Sequence, residues 1–404
     1  ERQGLKLDST DLPVSSNYIQ QIKKRGGKIV AVSKWNNSVL VRGDNRQTLE
    51  DLKALSFVKE SKLVFTSPDS IRPLSQRVRY NSELQSLDST FQDYYGMGKG
   101  QIESLNGRKL HNLGFMGQGM TIAVLDAGFM NVDKIPAFKN LNISGTHNFV
   151  AGYDNDVYKE MDHGTKTLST IAMNQPTVFV GTAPKANFWL LRTEDYLTES
   201  SAEEDFWIAA VEFSDSVGVD VISSSLGYHG FDDKTMNYRY SDLNGRTAAI
   251  SQAASRLASK GIILVNSAGN DGMGSWKKIN VPADAHDILT VGAVSLDKVN
   301  APFSSIGPSA DGRVKPDVMA FGCPTNVVSG RGYIIPDNGT SFACPLIAGM
   351  VACLWQAFPN KSAKEILELV RQSGSNRQYP DNIMGYGVPD FWTAYESATR
   401  YNQQ

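Results

Sequence analysis

Cysteine is scarce in this 404-residue chain: Cys323, Cys344 and Cys353 are all it has. Cys344 and Cys353 are expected on one helix, about 13 Å apart by helical rise, too far to bridge. No cysteine spacing suits zinc, so the three read as small buried hydrophobes, with a bridge from Cys323 to one of the others left open. Excess charge is lacking too. Lys plus Arg number 40 and Asp plus Glu 42, which argues against the basic surface that a nucleic-acid partner favours. An apolar leader is missing after Glu1, so location must be read from other signals. Long apolar runs are almost absent. The exception, "DNGTSFACPLIAGMVACLWQAF" at 337–358, is broken by Pro345, Gly349 and Gln356 and falls short of the ~20 residues a bilayer requires. It reads as a helix buried in a large core, with no transmembrane segment expected.

What is present divides the chain. Residues 1–75 read as a small α+β unit in the order helix, strand, strand, helix, strand. "SSNYIQQIKKRGG" has serines to cap a helix and a Gly pair to end it. "KIVAVSKW" and "SVLVRG" flank Asn36 and Asn37, a hairpin signal. "TLEDLKAL" puts Leu49, Leu52 and Leu55 on one helical face with Thr48 as cap, and "KLVF" is expected as a last strand. Residues 76–95 continue a stretch of Pro, Ser, Arg and acids without sustained period. It reads as an exposed linker, where chain cleavage is easiest.

Residues 96–404 have a different texture. "MTIAVLDAG", "NFWLLRT", "VDVISSSLG", "GIILVNSAGN" and "ILTVGAV" are continuous apolar runs, the mark of strands buried on both faces of a parallel sheet. Helical segments such as "TKTLSTIAM", "EEDFWIAAVEFSDSVG" and "RTAAISQAASRLASKG" lie between them. The fold class is α/β: a mainly parallel sheet flanked by helices on both faces.

In such sheets chemistry gathers at the carboxyl ends of strands. Asp126 ends "TIAVLD"; His163 sits in "DHGT" before a helix; Asn270 follows "GIILVNSAG"; Ser341 sits in "NGTS" before the apolar run. Each alone has an ordinary structural reading, as turn former, satisfied histidine or helix cap. Together they make the set that acyl transfer needs. A serine nucleophile requires a base, the base a carboxylate, and the developing oxyanion a donor.

"IAVLDAG", "DHGT", "SSSLG", "NSAGNDG", "FSSIGPSADGRVKPDVMAFG" and "GTSFACPLIAGMVA", in that order, resemble the subtilisin-like serine proteases, the subtilases. The resemblance implies Asp126 as orienting acid, His163 as general base and Ser341 as nucleophile, with Asn270 and the Ser341 N–H as oxyanion hole. It implies Ser225, Leu226 and Gly227 as one wall of the specificity pocket, pairing with substrate as an added strand, and Ser267, Ala268 and Gly269 as the other. Asn280 falls at the pocket base, where the family commonly has glycine. The first 75 residues resemble a subtilase propeptide that caps the protease. The implied protein is an exported serine endopeptidase held as a zymogen, acting on protein or peptide substrates and inhibited by its own N-terminal domain. No cofactor is required for the chemistry. Structural calcium is common in the family, without ligands assignable here.

Two other classes compete. A dinucleotide-binding enzyme would use "GQGMTIAVLD", but those glycines precede the strand rather than follow it. A non-catalytic binding or assembly protein on a protease scaffold would not need Asp126, His163, Asn270 and Ser341 intact.

Overall fold

The computed structural model describes residues 5–66, 92–159 and 161–401. The arginine-bearing segment "SIRPLSQRVRYNS", singled out for chain cleavage, lies outside the described residues. In the N-terminal stretch, α1 (Ser16–Lys24) leads into β1 (Lys28–Ser33) and β2 (Ser38–Arg42), and α2 (Arg46–Lys53) follows. The two strands form an antiparallel hairpin, and Asn37 takes the positive φ of 47° that its turn demands. The helix starts differ from the sequence expectation. The Ser15 hydroxyl makes no capping bond at α1. Asn45, not Thr48, caps α2, because its side chain accepts the Thr48 N–H at 2.9 Å.

"KLVF" is not a strand. Leu63 and Phe65 are exposed, while Val64 packs against Val150, Ala202 and Phe206. The Val64 carbonyl accepts from the Ser201 hydroxyl at 3.2 Å, so a side chain takes the place of a strand neighbour. Among the described residues the local sheet has two strands.

The remaining elements run in chain order. Helices α3 (Lys99–Ser104) and α4 (Arg108–Asn112) precede β3 (Thr121–Asp126) and β4 (Asn142–Asn148). Helix α5 (His163–Ala172), the short strands β5 (Asn174–Gln175) and β6 (Phe179–Val180), and β7 (Asn187–Arg192) follow. Then come α6 (Ala202–Ser216), β8 (Val221–Ser224), α7 (Ala249–Arg256), β9 (Ile263–Ser267), β10 (Leu289–Ser295), β11 (Val318–Cys323), β12 (Thr325–Val328) and β13 (Ile334–Asp337). Helices α8 (Thr340–Ala357), α9 (Ala363–Gln372) and α10 (Phe391–Tyr401) close the fold. Seven parallel strands form the main sheet in the order β11-β10-β9-β8-β3-β7-β4.

The continuous apolar runs have a simple cause. Ile122 and Val124 of β3 face a core shared with α5 and α8, while Ala123 and Leu125 face a second core shared with α6 and α7. Both faces are covered, so both parities of the strand are apolar. Helix α8 is the one helix among the described residues long and apolar enough to cross a membrane, with mean hydropathy 1.4, and 89% of it is buried inside the protein. Its Leu346, Ile347, Met350, Val351 and Leu354 each contribute about 1.5–3 kcal/mol by leaving water. All three cysteines are free thiols, so no bridge from Cys323 forms.

Among the described residues, the N-terminal unit's own buried cluster is small: Ile22, Leu52 and Leu55. The other face of its hairpin, through Val30 and Leu40, packs on Ala202 and Phe206 of α6. Trp35 at the hairpin turn is buried in the core on the α6 side of the main sheet. The Glu212 carboxylate accepts the Ser33 hydroxyl (2.5 Å) and the Lys34 and Trp35 N–H groups (2.9 and 3.1 Å). Arg256 donates to the Trp35 carbonyl and to Asn36 Oδ1, and Lys260 holds Asp8 and Asp11 at 3.2 and 2.9 Å.

Candidate active site

Four of the predicted residues converge at the carboxyl edge of the sheet. Asp126 is the last residue of β3, and only 1% exposed. Its Oδ1 accepts the Ala127 N–H and faces His163 Nδ1, both at 2.8 Å. Its Oδ2 accepts the Thr167 hydroxyl at 3.1 Å. His163 opens α5, and Thr167 lies one turn further on the same helix, so one element delivers both partners of the carboxylate. Burial of the ring works against its charge. The Asp126 carboxylate outweighs that, Glu194 adds to it, and the imidazole is pushed up to about 9. Glu194 itself is pushed up to about 8, by burial and by the charges of Asp126 and Glu199, while the Tyr228 hydroxyl bonds its Oε1 at 3.2 Å.

Ser341 is the second residue of α8 and is 7% exposed. The helix is preceded by Gly339 at φ 157°. A methyl there would meet nothing closer than 3.6 Å, so the dihedral rather than space calls for glycine. Pro345 has no N–H for the Ser341 carbonyl four residues back. The Ser225 hydroxyl fills that vacancy at 2.8 Å and so ties the pocket wall to the helix. The Ser341 hydroxyl points to the Ser225 carbonyl at 3.3 Å rather than to His163, whose ring lies beside Phe342 with 5.7 Å between centroids.

Asn270 is exposed three residues after β9. Its Oδ1 accepts the Thr340 N–H at 2.9 Å and the Thr340 hydroxyl at 3.1 Å. An N–H donor fixes which end of the amide is oxygen, and the NH₂ end is left to donate. The Ser341 N–H, in the first turn of α8, has no intrahelical acceptor. Two donors thus flank the start of one helix.

The two predicted walls follow neighbouring parallel strands, Ser225–Gly227 after β8 and Ala268–Gly269 after Ser267 of β9. Leu226 and Asn266 tie them, Asn266 Nδ2 donating to the Leu226 carbonyl at 3.1 Å. Asn280 stands between them, its Cβ beside Gly227 and its Nδ2 beside Gly269. Thr167, Thr340, Glu194 and Asp271 were missed in sequence. Thr340 carried a signal, adjacency to Ser341; the others depend on contacts across the fold. Among the described residues no three His, Cys, Asp or Glu side chains gather to hold a metal, so no residue is assigned to calcium.

Residues 117–387 match the Subtilase family (Peptidase S8), and residues 1–85 match the Peptidase S8 propeptide domain, Bacteroidota. Subtilisin NAT of Bacillus subtilis subsp. natto is 26% identical over 369 residues, 91% of this chain and 82% of that protein. Subtilisin of Bacillus pumilus is 29% identical over 272 residues, 66% of this chain and 89% of that protein. The crystal structure of MycP1 from Mycobacterium smegmatis superposes with a TM-score of 0.60 at 21% identity, covering 79% of this chain and 89% of that one, a likeness of fold.

Proposed function

Because this chain belongs to the subtilase family of serine endopeptidases, we propose that its acyl-enzyme forms on Ser341. His163 takes the serine proton through Nε2 and returns it to the leaving amine. Asp126 holds the imidazole in the tautomer with hydrogen on Nδ1 and stabilises its charged form. The Asn270 amide and the Ser341 N–H receive the oxyanion, in the favourable field of the α8 N-terminus. The observation that carries this reading is the Asp126–His163 contact of 2.8 Å, set beside a helix start whose Thr340 anchors Asn270 by its carbonyl end. A fluorophosphonate label is expected on Ser341 once the N-terminal domain is removed. Labelling elsewhere, or none, would refute the assignment.

Only neutral imidazole accepts the serine proton, so activity rises as pH climbs through the His163 titration. With that group held up to about 9, kcat/KM of the mature enzyme is expected to increase from pH 6 through about pH 9. A mature enzyme more active at acid pH than at pH 8 would contradict the role of His163.

The zymogen reading follows from the docked N-terminal unit. We divide the chain into an inhibitory domain at 1–75, a linker at 76–95 cut on maturation, and a catalytic domain at 96–404. Export, with action on protein substrates outside the cytoplasm, fits a protease made with its own inhibitor. Replacing Glu212 with alanine leaves the Lys34 and Trp35 N–H groups without their acceptor. The Trp35 N–H is buried, and orphaning such a donor costs about 1–3 kcal/mol. Intact Glu212→Ala chain is therefore expected to hydrolyse small peptides at least about tenfold faster than intact wild type. Equal rates would show that this contact does not hold the inhibitor.

A further inference from the structure

Gly227 and Gly269 have no side chains to fill the space between the two pocket walls. Asn280 fills it. A methyl on Gly227 would lie 3.1 Å from Asn280 Cβ, and one on Gly269 would lie 2.8 Å from Asn280 Nδ2. One side chain therefore reaches from wall to wall, and only 7% of it is exposed.

An asparagine free to rotate would yield to a large substrate side chain. This one is held at both ends. Its backbone N–H donates to the Ala268 carbonyl at 3.3 Å, and the next residue, Val281, exchanges two backbone hydrogen bonds with Tyr228 at 2.8 and 3.0 Å. Its Nδ2 donates to Asp271 Oδ2 at 2.9 Å. A carboxylate acceptor makes that bond roughly twice as strong as a neutral one. Asp271 is itself anchored, its N–H donating to the Ser305 hydroxyl at 3.0 Å. On its outer side stands His229, with Nδ1 at 3.9 Å and its ring stacked on Trp276 at 4.6 Å.

We propose that the primary pocket admits only side chains of about alanine or serine size before the scissile bond, and that Asp271 is the specificity-determining residue that keeps it small by bracing Asn280. Asp271 follows Asn270 in the chain, but its carboxylate is turned to Asn280 at 2.9 Å and makes no hydrogen bond to Ser341 or to the Asn270 amide. It acts through Asn280, as a positioning residue for the pocket floor. The inference rests on Ser341 as the nucleophile and deepens that reading by naming a substrate class.

The test uses the full chain, matured and purified, as wild type, Asn280→Gly, Asp271→Ala, Asp271→Asn and the Asp271→Ala/Asn280→Gly pair. Each is profiled on peptides that differ only in the residue before the scissile bond. Wild type is expected to cleave after Ala or Ser at least tenfold better in kcat/KM than after Phe or Leu. Asn280→Gly should shift that ratio toward Phe by about a hundredfold, and Asp271→Ala by about tenfold. Asp271→Asn keeps an acceptor for the amide and should stay near wild type. On the Asn280→Gly background, Asp271→Ala should move the ratio no further. Wild type preferring Phe or Leu would overturn the proposal. So would an active Asp271→Ala that keeps the wild-type ratio, or that slows all peptides equally. If Asp271→Ala does not fold, Asp271→Leu, which has no acceptor, is read in its place. Failure of the underlying reading looks different: no variant would then be labelled on Ser341 by a fluorophosphonate.

Discussion

Ser341→Ala is expected to lose peptide hydrolysis by a factor on the order of 10⁶, the magnitude known for subtilisin, and to remain folded. The oxygen removed is the one that forms the covalent bond. Structurally it gives up only a 3.3 Å hydrogen bond to the Ser225 carbonyl at the cleft edge. The bond that matters for packing, from the Ser225 hydroxyl to the Ser341 carbonyl, uses the backbone and survives. A net hydrogen bond of about 1 kcal/mol bounds the loss in stability. Turnover of the purified variant, read beside its thermal unfolding, checks both halves. Full activity would end the serine-nucleophile reading.

The same variant tests maturation. If the enzyme cuts its own linker, wild type should yield new N-termini by mass spectrometry while Ser341→Ala persists as one chain. If another protease does the cutting, Arg77 and Arg79 offer it a site. Wild type would then stay intact until trypsin is added and gain activity afterwards. Full activity of uncut wild type on a protein substrate would show that the N-terminal domain does not inhibit.

Asn270→Ala is expected to lower kcat by about 10²–10³, with KM little changed, because the lost donor serves the oxyanion and not the ground-state carbonyl. The anchoring of Asn270 explains why one residue is worth so much. Thr340 holds the carbonyl end through two donors, so the amide end is aimed before substrate arrives and costs nothing to orient during reaction. The residue is exposed, so its removal opens no core cavity. Stopped assays under saturating peptide, with active-site titration by a fluorophosphonate, separate lost turnover from lost protein. An unchanged kcat would take Asn270 out of the site.

Much of the site was legible because its chemistry is local. Asp126 ends a strand that is apolar on both faces, His163 and Ser341 each begin a helix, and each stands in a short run of Gly and Thr. The parallel sheet was legible for a related reason: two covered faces leave no polar parity in the strands. Thr167 was not legible. A threonine inside a helix has an ordinary structural reading, and only the approach of α5 to the end of β3 puts its hydroxyl on Asp126. Asp271 was not legible either, because its bond to Asn280 joins two loops. "KLVF" misled because a short apolar run forms a strand only if a strand edge is there to receive it, and α6 took Val64 instead.

The sequence alone determined the fold class and the candidate catalytic residues in their chain order, since periodicity and turn residues act over a few positions and survive without the rest of the fold. Tertiary structure decided what those residues touch. It turned the Ser341 hydroxyl toward Ser225, left the NH₂ end of Asn270 to donate, set Asn280 between Gly227 and Gly269 and seated Trp35 against α6 under the grip of Glu212. Those outcomes depend on side chains brought together from distant positions, and on which donor finds which acceptor once water has been excluded, a competition that no local window of sequence contains.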